Sequence, residues 1–326
     1  GLLNEIRAYD LRFTPDESAA FLNRMLDVIV DQATAALLET KTEGWAVGLR
    51  LTCLYLQGQK DLKRSLQQLS GNSRYIAEYL LAEVVSKQHP EMVSYLLETS
   101  ILNRFCAALC HQINQKGRHG HDKKTEVGAE QFIQWLAGSN LFVIALDNEE
   151  YWFRYHHLFH EFLKGELNKQ YSKDRITDLH QHASRWFNEN GLIEEALQHL
   201  LAIDDISAAT QLILEHRYML MNTSQYFRLC RLLARLPENA VTNSPLLAST
   251  RAFIGLNMGN DVDVNAFTQR AIELLAESSP ESEDYFVLKG EVLILQSLAD
   301  LLFKSVAETA LARVQEAFDY IPDSAL

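Results

Sequence analysis

Trp152-Phe-Arg-Tyr-His-His-Leu-Phe-His-Glu-Phe-Leu163 is the stretch on which the fold turns. Its alternating aromatic residues run into a pair of histidines and then take up the spacing of an amphipathic helix. Just upstream, Leu141-Phe-Val-Ile-Ala-Leu146 and Tyr151-Trp-Phe-Arg-Tyr155 read as two short strands, separated by the polar turn Asp147-Asn-Glu-Glu150. A lone β-hairpin among helices is the mark of a winged-helix module. Its second strand delivers His156 and His157 to the mouth of the next helix. Two imidazoles there are candidates for a functional role, against the competing reading that they simply bond and pack within the wing.

Working outward, the chain reads as mainly α. Toward the N-terminus, residues 5–13 have the pattern of an edge or terminal strand. Thr14-Pro15-Asp16-Glu17 then opens a helix: Thr14 can cap it, Pro15 suits the first helical position, and Glu17 can complete a capping box. A second helix is expected over 34–40. A third is expected to start in Thr42-Glu-Gly-Trp-Ala-Val-Gly-Leu-Arg-Leu51 and to run to about residue 57. Further helices are predicted over 75–86, 90–98, 104–112 and 128–137, with a polar, glycine-containing and mobile segment over 115–125.

After Leu167 the texture changes to helical pairs. They are predicted over 174–189 with 193–202, 206–217 with 224–235, 245–257 with 263–276, and 284–302 with 306–319. Their starts recur at roughly 30–40-residue intervals, the period of a helical solenoid. Small residues fall where paired helices would touch: Ala183, Ala196, Ala252, Ala266, Ala271, Ala310 and Ala317. The match to the tetratricopeptide pattern is loose, so the solenoid is TPR-like.

Composition narrows the function. Thirty basic and forty-three acidic residues leave a net charge of −13, which opposes binding to a phosphate backbone by this segment itself. No apolar run approaches the ~18–20 residues of a membrane span. Nothing near the N-terminus has the pattern of a signal peptide. Four cysteines without a regular framework suit a reducing, cytoplasmic compartment.

No phosphate-cradling glycine loop, HExxH or CxxC motif occurs, and no nucleophile–base arrangement supports an enzyme. Cys106, Cys110, His111, His119 and His121 lie close in sequence, but their spacing matches no standard zinc pattern. Cys106 and Cys110 are read as core thiols, and His119 and His121 as part of a solvated loop. His180 and His182, two apart on a helix, do not share a face and are read as structural. Asp204 and Asp205 read as a helix N-cap region.

Five segments, in order, carry a resemblance: Leu11-Arg-Phe-Thr-Pro-Asp-Glu-Ser18, Thr42-Glu-Gly-Trp-Ala-Val-Gly-Leu49, Tyr79-Leu-Leu-Ala-Glu-Val84, Arg154-Tyr-His-His-Leu-Phe159 and Trp186-Phe-Asn-Glu-Asn-Gly-Leu-Ile-Glu-Glu-Ala196. The chain resembles the MalT-like, LuxR-type ATP-dependent transcriptional regulators among the signal-transduction NTPases. The resemblance implies three parts. Residues 1–74 would hold the end of an NTPase core (its closing strand over 1–13) and a helical subdomain. Residues 75–167 would be the winged helix, and 168–326 the start of a TPR-like sensor.

It further implies a piece of a longer protein, with a P-loop before it and a DNA-binding helix-turn-helix after it. ATP or ADP would be bound by the full-length parent and no cofactor by the segment alone. His156 would contact the diphosphate, with His157 a possible second contact, and Gly44, Trp45 and Gly48 would approach the adenine. The alternatives at these positions are a backbone carbonyl as the partner of His156 and ordinary core packing for Trp45. Implied partners are an inducer or regulatory protein at the solenoid, a second copy of the full-length protein, and DNA only through the missing domain. The other class of function open to the chain is a protein-interaction scaffold with no nucleotide role.

Overall fold

The computed structural model describes residues 12–59, 61–114, 128–139, 143–147, 149, 151–277, 283–304 and 306–320. The chain divides into two compact units, Gly1–Trp186 and Phe187–Leu326. Among the described residues the fold is mainly α, with a single two-stranded sheet.

The first unit opens with α1 (Pro15–Leu26), and the capping box is formed as read. The Glu17 N–H donates to Thr14 Oγ1 at 3.3 Å and the Thr14 N–H to Glu17 Oε2 at 2.9 Å. The helix stops at Asp27, whose left-handed φ of 52° lets the Val28 N–H reach back to the Asn23 carbonyl. α2 (Gln32–Thr42) starts on Asp31, which accepts the Thr34 N–H at 2.8 Å. α3 is Ala46–Leu56.

The third helix begins at Ala46 and not at Thr42. Thr42 ends α2, Glu43 and Gly44 both have positive φ (51° and 67°), and Trp45 is the N-cap of α3. The apolar period continues across the turn, but a left-handed pair breaks the helical ladder. The strand read over 5–13 falls mainly outside the described residues. Phe13 itself is irregular, its N–H donating to the Gly44 carbonyl at 2.9 Å.

α4 (Leu62–Gln68) has no counterpart in the sequence reading, because one short polar helix gives little periodic signal. α5 (Arg74–Glu83) follows and runs into a 3₁₀ turn at Val85–Lys87. Next come α6 (Pro90–Thr99), α7 (Ala107–Asn114) and α8 (Ala129–Ser139). The segment read as a mobile loop over 115–125 lies outside the described residues.

The hairpin pairs β1 (Val143–Ala145) antiparallel with β2 (Phe153–Tyr155), in the register Val143↔Tyr155, Ile144↔Arg154 and Ala145↔Phe153. Phe105 bridges the other edge of β2: the Phe105 N–H donates to the Phe153 carbonyl at 2.8 Å and the reverse bond is 2.9 Å. β2 therefore pairs on both sides, and its inward residues Phe153 and Tyr155 are buried. Tyr95 stacks on Phe132 at 4.8 Å and Phe105 lies 4.7 Å from Tyr155. Fully burying one such side chain contributes roughly 1.5–3 kcal/mol. From β2 the chain turns directly into α9 (His157–Gln170), and α10 (Lys173–Glu189) follows.

The second unit is a run of helix pairs: α11 (Ile193–Ala202) packs on α12 (Ile206–Asn222), and α12 on α13 (Tyr226–Leu233). α15 (Pro245–Asn257) packs on α16 (Asp261–Ala276), and α17 (Glu283–Ala299) on α18 (Ala307–Phe318). A π-helical turn, Asp300–Lys304, extends α17. The short α14 (Glu238–Thr242) was not legible from periodicity.

One device closes α10, α11, α12 and α15. Gly191, Asp204, Ser224 and Gly259 all take left-handed φ, and the next N–H in each case donates to the carbonyl five residues back: Leu192 to Phe187, Asp205 to Leu200, Gln225 to Leu220 and Asn260 to Gly255. The recurrence of this turn gives the TPR-like repeat its local basis. Of the alanines read as contact residues, six are buried, whereas Ala266 is exposed on α16. Ala248, Ala271, Leu275, Leu288 and Val292 form the core between α15, α16 and α17.

Candidate functional site

Within the first unit, the turn between α2 and α3 lies against the junction of β2 and α9. Glu43 is the hub. Its Oε2 accepts from His156 Nδ1 at 2.9 Å and from the His157 backbone N–H at 3.2 Å, while its Oε1 accepts from Arg154 Nη1 at 2.7 Å. His156 is the N-cap residue of α9 and makes no side-chain cap bond to its own helix. The carboxylate of Glu43 supplies the cap instead, taking one of the first-turn N–H groups and placing negative charge at the positive end of α9.

Burial alone would raise the Glu43 pKa. The hydrogen bonds and charges of His156 and Arg154 outweigh it and hold the carboxyl down at about 2. Glu43 is therefore ionised at neutral pH, and the carboxylate acts only as acceptor. Nδ1 of His156 accordingly carries the hydrogen it donates.

The five residues implied as nucleotide contacts, Gly44, Trp45, Gly48, His156 and His157, sit at this hub or beside it. Trp45, buried, stacks on the His156 ring with centroids 5.8 Å apart and planes 13° from parallel. Gly48 makes room for that indole: a Cβ there would lie 2.7 Å from the Trp45 ring. Gly44 needs its positive φ, and a Cβ would come within 2.3 Å of the Phe13 carbonyl oxygen. The His157 ring turns instead to Glu161 on its own helix, Nε2 to Oε1 at 3.2 Å. The backbone carbonyl considered as a partner for His156 is replaced by a side-chain carboxylate. Glu43 stood in the quoted motif without being singled out; an acidic residue directly before Gly-Trp was the available signal.

A second clasp adjoins the first. The Gly71 N–H donates to Glu161 Oε2 at 2.8 Å, and Asn72 Nδ2 to the Glu161 carbonyl at 3.2 Å. A Cβ on Gly71 would sit 1.9 Å from the Leu158 carbonyl oxygen, so this turn meets the α9 backbone directly. His160, one turn into α9, donates from Nε2 to the Ser100 carbonyl at 2.6 Å. Burial pushes its pKa down to about 4, with the nearby Lys164 charge acting in the same direction.

The remaining candidates are structural. Cys106 and Cys110 are buried, and burial pushes the Cys110 thiol well above its ordinary range, which keeps it un-nucleophilic. His119 and His121 lie outside the described residues. No group of three or more His, Cys, Asp or Glu among the described residues could hold a metal ion. His182 Nδ1 bonds the Asp178 carbonyl at 2.6 Å, one turn back on α10. Asp205 caps α12, accepting the Ala208 N–H at 3.0 Å. In the second unit, a recess of about 600 Å³ is lined in part by Asp205, Ser207, Thr210, Gln211 and Ala240. No helix among the described residues is long and apolar enough to cross a membrane.

A β-hairpin flanked by helices, with its second strand running into α9, defines a winged-helix protein. Residues 81–175 match the family model of the MalT winged helix domain. The chain is thus MalT-like: it carries a winged helix of the MalT type and is similar along most of its length to MalT regulators. It is 29% identical over 322 residues to the serine/threonine-protein kinase PknK of Mycobacterium tuberculosis, covering 98% of this chain and 28% of the kinase. It is 27% identical over 277 residues to the HTH-type transcriptional regulator MalT of Yersinia enterocolitica, covering 84% of this chain and 30% of that regulator. A signal transduction ATPase with numerous domains and a tetratricopeptide repeat sensor, from Pyrococcus horikoshii, aligns over 95% of this chain and 42% of its own, with 14% identity and a TM-score of 0.48. The chain spans about 30% of the length of the curated relatives it matches.

Proposed function

We propose that this chain is the central regulatory segment of a longer, cytoplasmic ATP-dependent regulator, in which the winged helix reports nucleotide state to the helical repeats. The supporting observation is the convergence on one carboxylate: Glu43 gathers His156, Arg154 and the N-terminus of α9 beside Trp45, Gly44 and Gly48. These elements come from the two regions that would meet a nucleotide in such a regulator. In the resting state His156 would contact the diphosphate of ADP, and His157 is a possible second contact. Gly44, Trp45 and Gly48 would lie toward the adenine. An inducer or regulatory protein at the helical repeats would favour the ATP form, which self-associates. Each ligand must prefer one state for that coupling to operate.

The segment has no catalytic role of its own in this reading. The test is calorimetry of ADP and ATP binding to a longer protein that includes the nucleotide-binding core, with and without His156→Ala. Tight ADP binding weakened by the substitution supports the switch. Binding unchanged by the substitution removes His156 from the nucleotide site, and no binding at all favours an interaction scaffold.

A second reading concerns the output. Near-complete coverage by a protein named as a serine/threonine kinase suggests that this regulatory segment serves outputs other than DNA binding. A longer clone settles the matter by which domain it carries: a helix-turn-helix supports transcriptional output, and a kinase domain supports phosphorylation.

A further inference from the structure

We infer that Glu43 is the positioning residue for His156. It fixes the Nδ1–H tautomer, so that the ring's other nitrogen donates to an anion only when His156 takes up a proton. This rests on the nucleotide reading above only for the identity of the anion, a terminal phosphate oxygen of a nucleoside diphosphate.

A neutral imidazole has one N–H and one lone-pair nitrogen. Nδ1 faces the Glu43 carboxylate at 2.9 Å and must hold its hydrogen there, because an ionised carboxylate offers none. Nε2 of the neutral ring is then an acceptor, and an acceptor repels a phosphate oxygen. Protonation converts Nε2 into a donor and leaves the Glu43 bond in place, so that the imidazolium lies between two anions. A carboxylate that fixes the ring and tautomer of a working histidine is a familiar physical arrangement.

The ring is also held mechanically. Trp45 stacks on its face, and His156 is itself buried. The charged and titratable groups around it come from each element packed there. Glu43 stands on the α2–α3 turn, with Glu39 one turn earlier on α2 and raised by burial, and with the Arg12 charge beside Glu39. Arg154 reaches in from β2 and shares the Glu43 carboxylate. From α9 come the His157 N–H on the same carboxylate, the His157 ring paired with Glu161, and Lys164 farther along. Among the described residues only Glu43 bonds Nδ1, so its removal frees the tautomer.

The first arm of the test is nitrogen-resolved NMR of the imidazoles in this chain, with His156 assigned by substitution. In the neutral ring His156 should carry its hydrogen on Nδ1 and leave Nε2 bare. Glu43→Ala should move it to the Nε2–H tautomer, whereas Glu43→Gln, whose amide oxygen still accepts, should retain Nδ1–H. The other histidine signals report whether each variant is folded. An Nε2–H tautomer in the parent sequence, or no change in Glu43→Ala, overturns the inference.

The second arm measures ADP affinity against pH in the longer protein, with His156→Ala as the reference that removes ADP's own ionisation. Relative to that reference, affinity should fall tenfold per pH unit on the alkaline side, and this slope should flatten in Glu43→Ala and persist in Glu43→Gln. An equal slope in Glu43→Ala overturns the proton requirement. If His156→Ala leaves ADP affinity unaltered while the tautomer still depends on Glu43, the nucleotide reading falls and the positioning role stands.

Discussion

Glu43 ends one helix and caps another: it is the left-handed C-cap of α2, and its carboxylate takes the His156 Nδ1–H and the first N–H of α9, more than a hundred residues away. One ionised side chain thereby ties the helical segment to the wing. Its stability contribution should depend on pH. The folded pKa is depressed from the ordinary 4.5 to about 2, so the stabilisation is present above about pH 4.5 and is lost as pH falls toward 2. At neutral pH it amounts to at most about 3 kcal/mol. Glu43→Gln should lower the melting temperature at pH 7 and shrink the difference from the parent at pH 3, as measured by thermal melts at both values.

His160 and His180 should act in a separate acid window. Burial depresses both to about 4 from the ordinary 6.5, so the unfolded chain takes up protons first. Their neutral, folded forms lose stability as pH falls from 6.5 to about 4, with no further loss below that. His160→Gln should weaken this loss between pH 7 and 4 in urea titrations. An unaltered pH dependence would show that His160 titrates alike in both states.

Gly71 and Gly138 should respond oppositely to alanine. Gly71→Ala drives a Cβ into the α9 backbone, 1.9 Å from the Leu158 carbonyl oxygen and 2.6 Å from the Phe162 nitrogen. Relief would require moving the turn off α9, at a cost of about 3 kcal/mol or more. Gly138 lies exposed in α8, where a Cβ meets nothing within 4 Å. Gly138→Ala should stabilise by roughly 0.5–1 kcal/mol. Parallel denaturant curves give both signs in one experiment.

In the second unit, Arg217 is 3% exposed and its guanidinium meets Glu291 at 3.1 Å, Thr250 Oγ1 at 3.3 Å and the Tyr218 ring at 4.2 Å. Glu291→Ala leaves that cation buried beside hydroxyls and a ring. The expected loss is about 3–5 kcal/mol. Replacing both partners, Arg217→Met with Glu291→Leu, should recover most of it, because the burial cost of two charges disappears together. A double mutant as unstable as the single would show that packing around the guanidinium matters more than its charge.

Local chemistry made much of the molecule legible. Thr14 and Glu17 specify the start of α1 within four residues, and Pro90 and Pro245 mark helix openings by the same short-range logic. The hairpin and the helix beginning at His157 follow from alternation giving way to helical spacing. The break between α2 and α3 is legible, but the start of α3 falls at Ala46 because Glu43 and Gly44 take left-handed φ, which local spacing does not record.

By itself, then, the sequence determined where most of the helices begin, that a wing interrupts them, and that small residues recur along the later pairs. These are interactions among neighbours in the chain, visible within a turn or two. Tertiary structure alone decided that Glu43 would hold His156 and Arg154, that Gly71 would press against α9, and that Glu291 would neutralise Arg217, 74 positions away. The physical reason lies in burial. A carboxylate or guanidinium excluded from water must find its partner wherever the packed helices bring one, and neither period nor capping pattern records that distance.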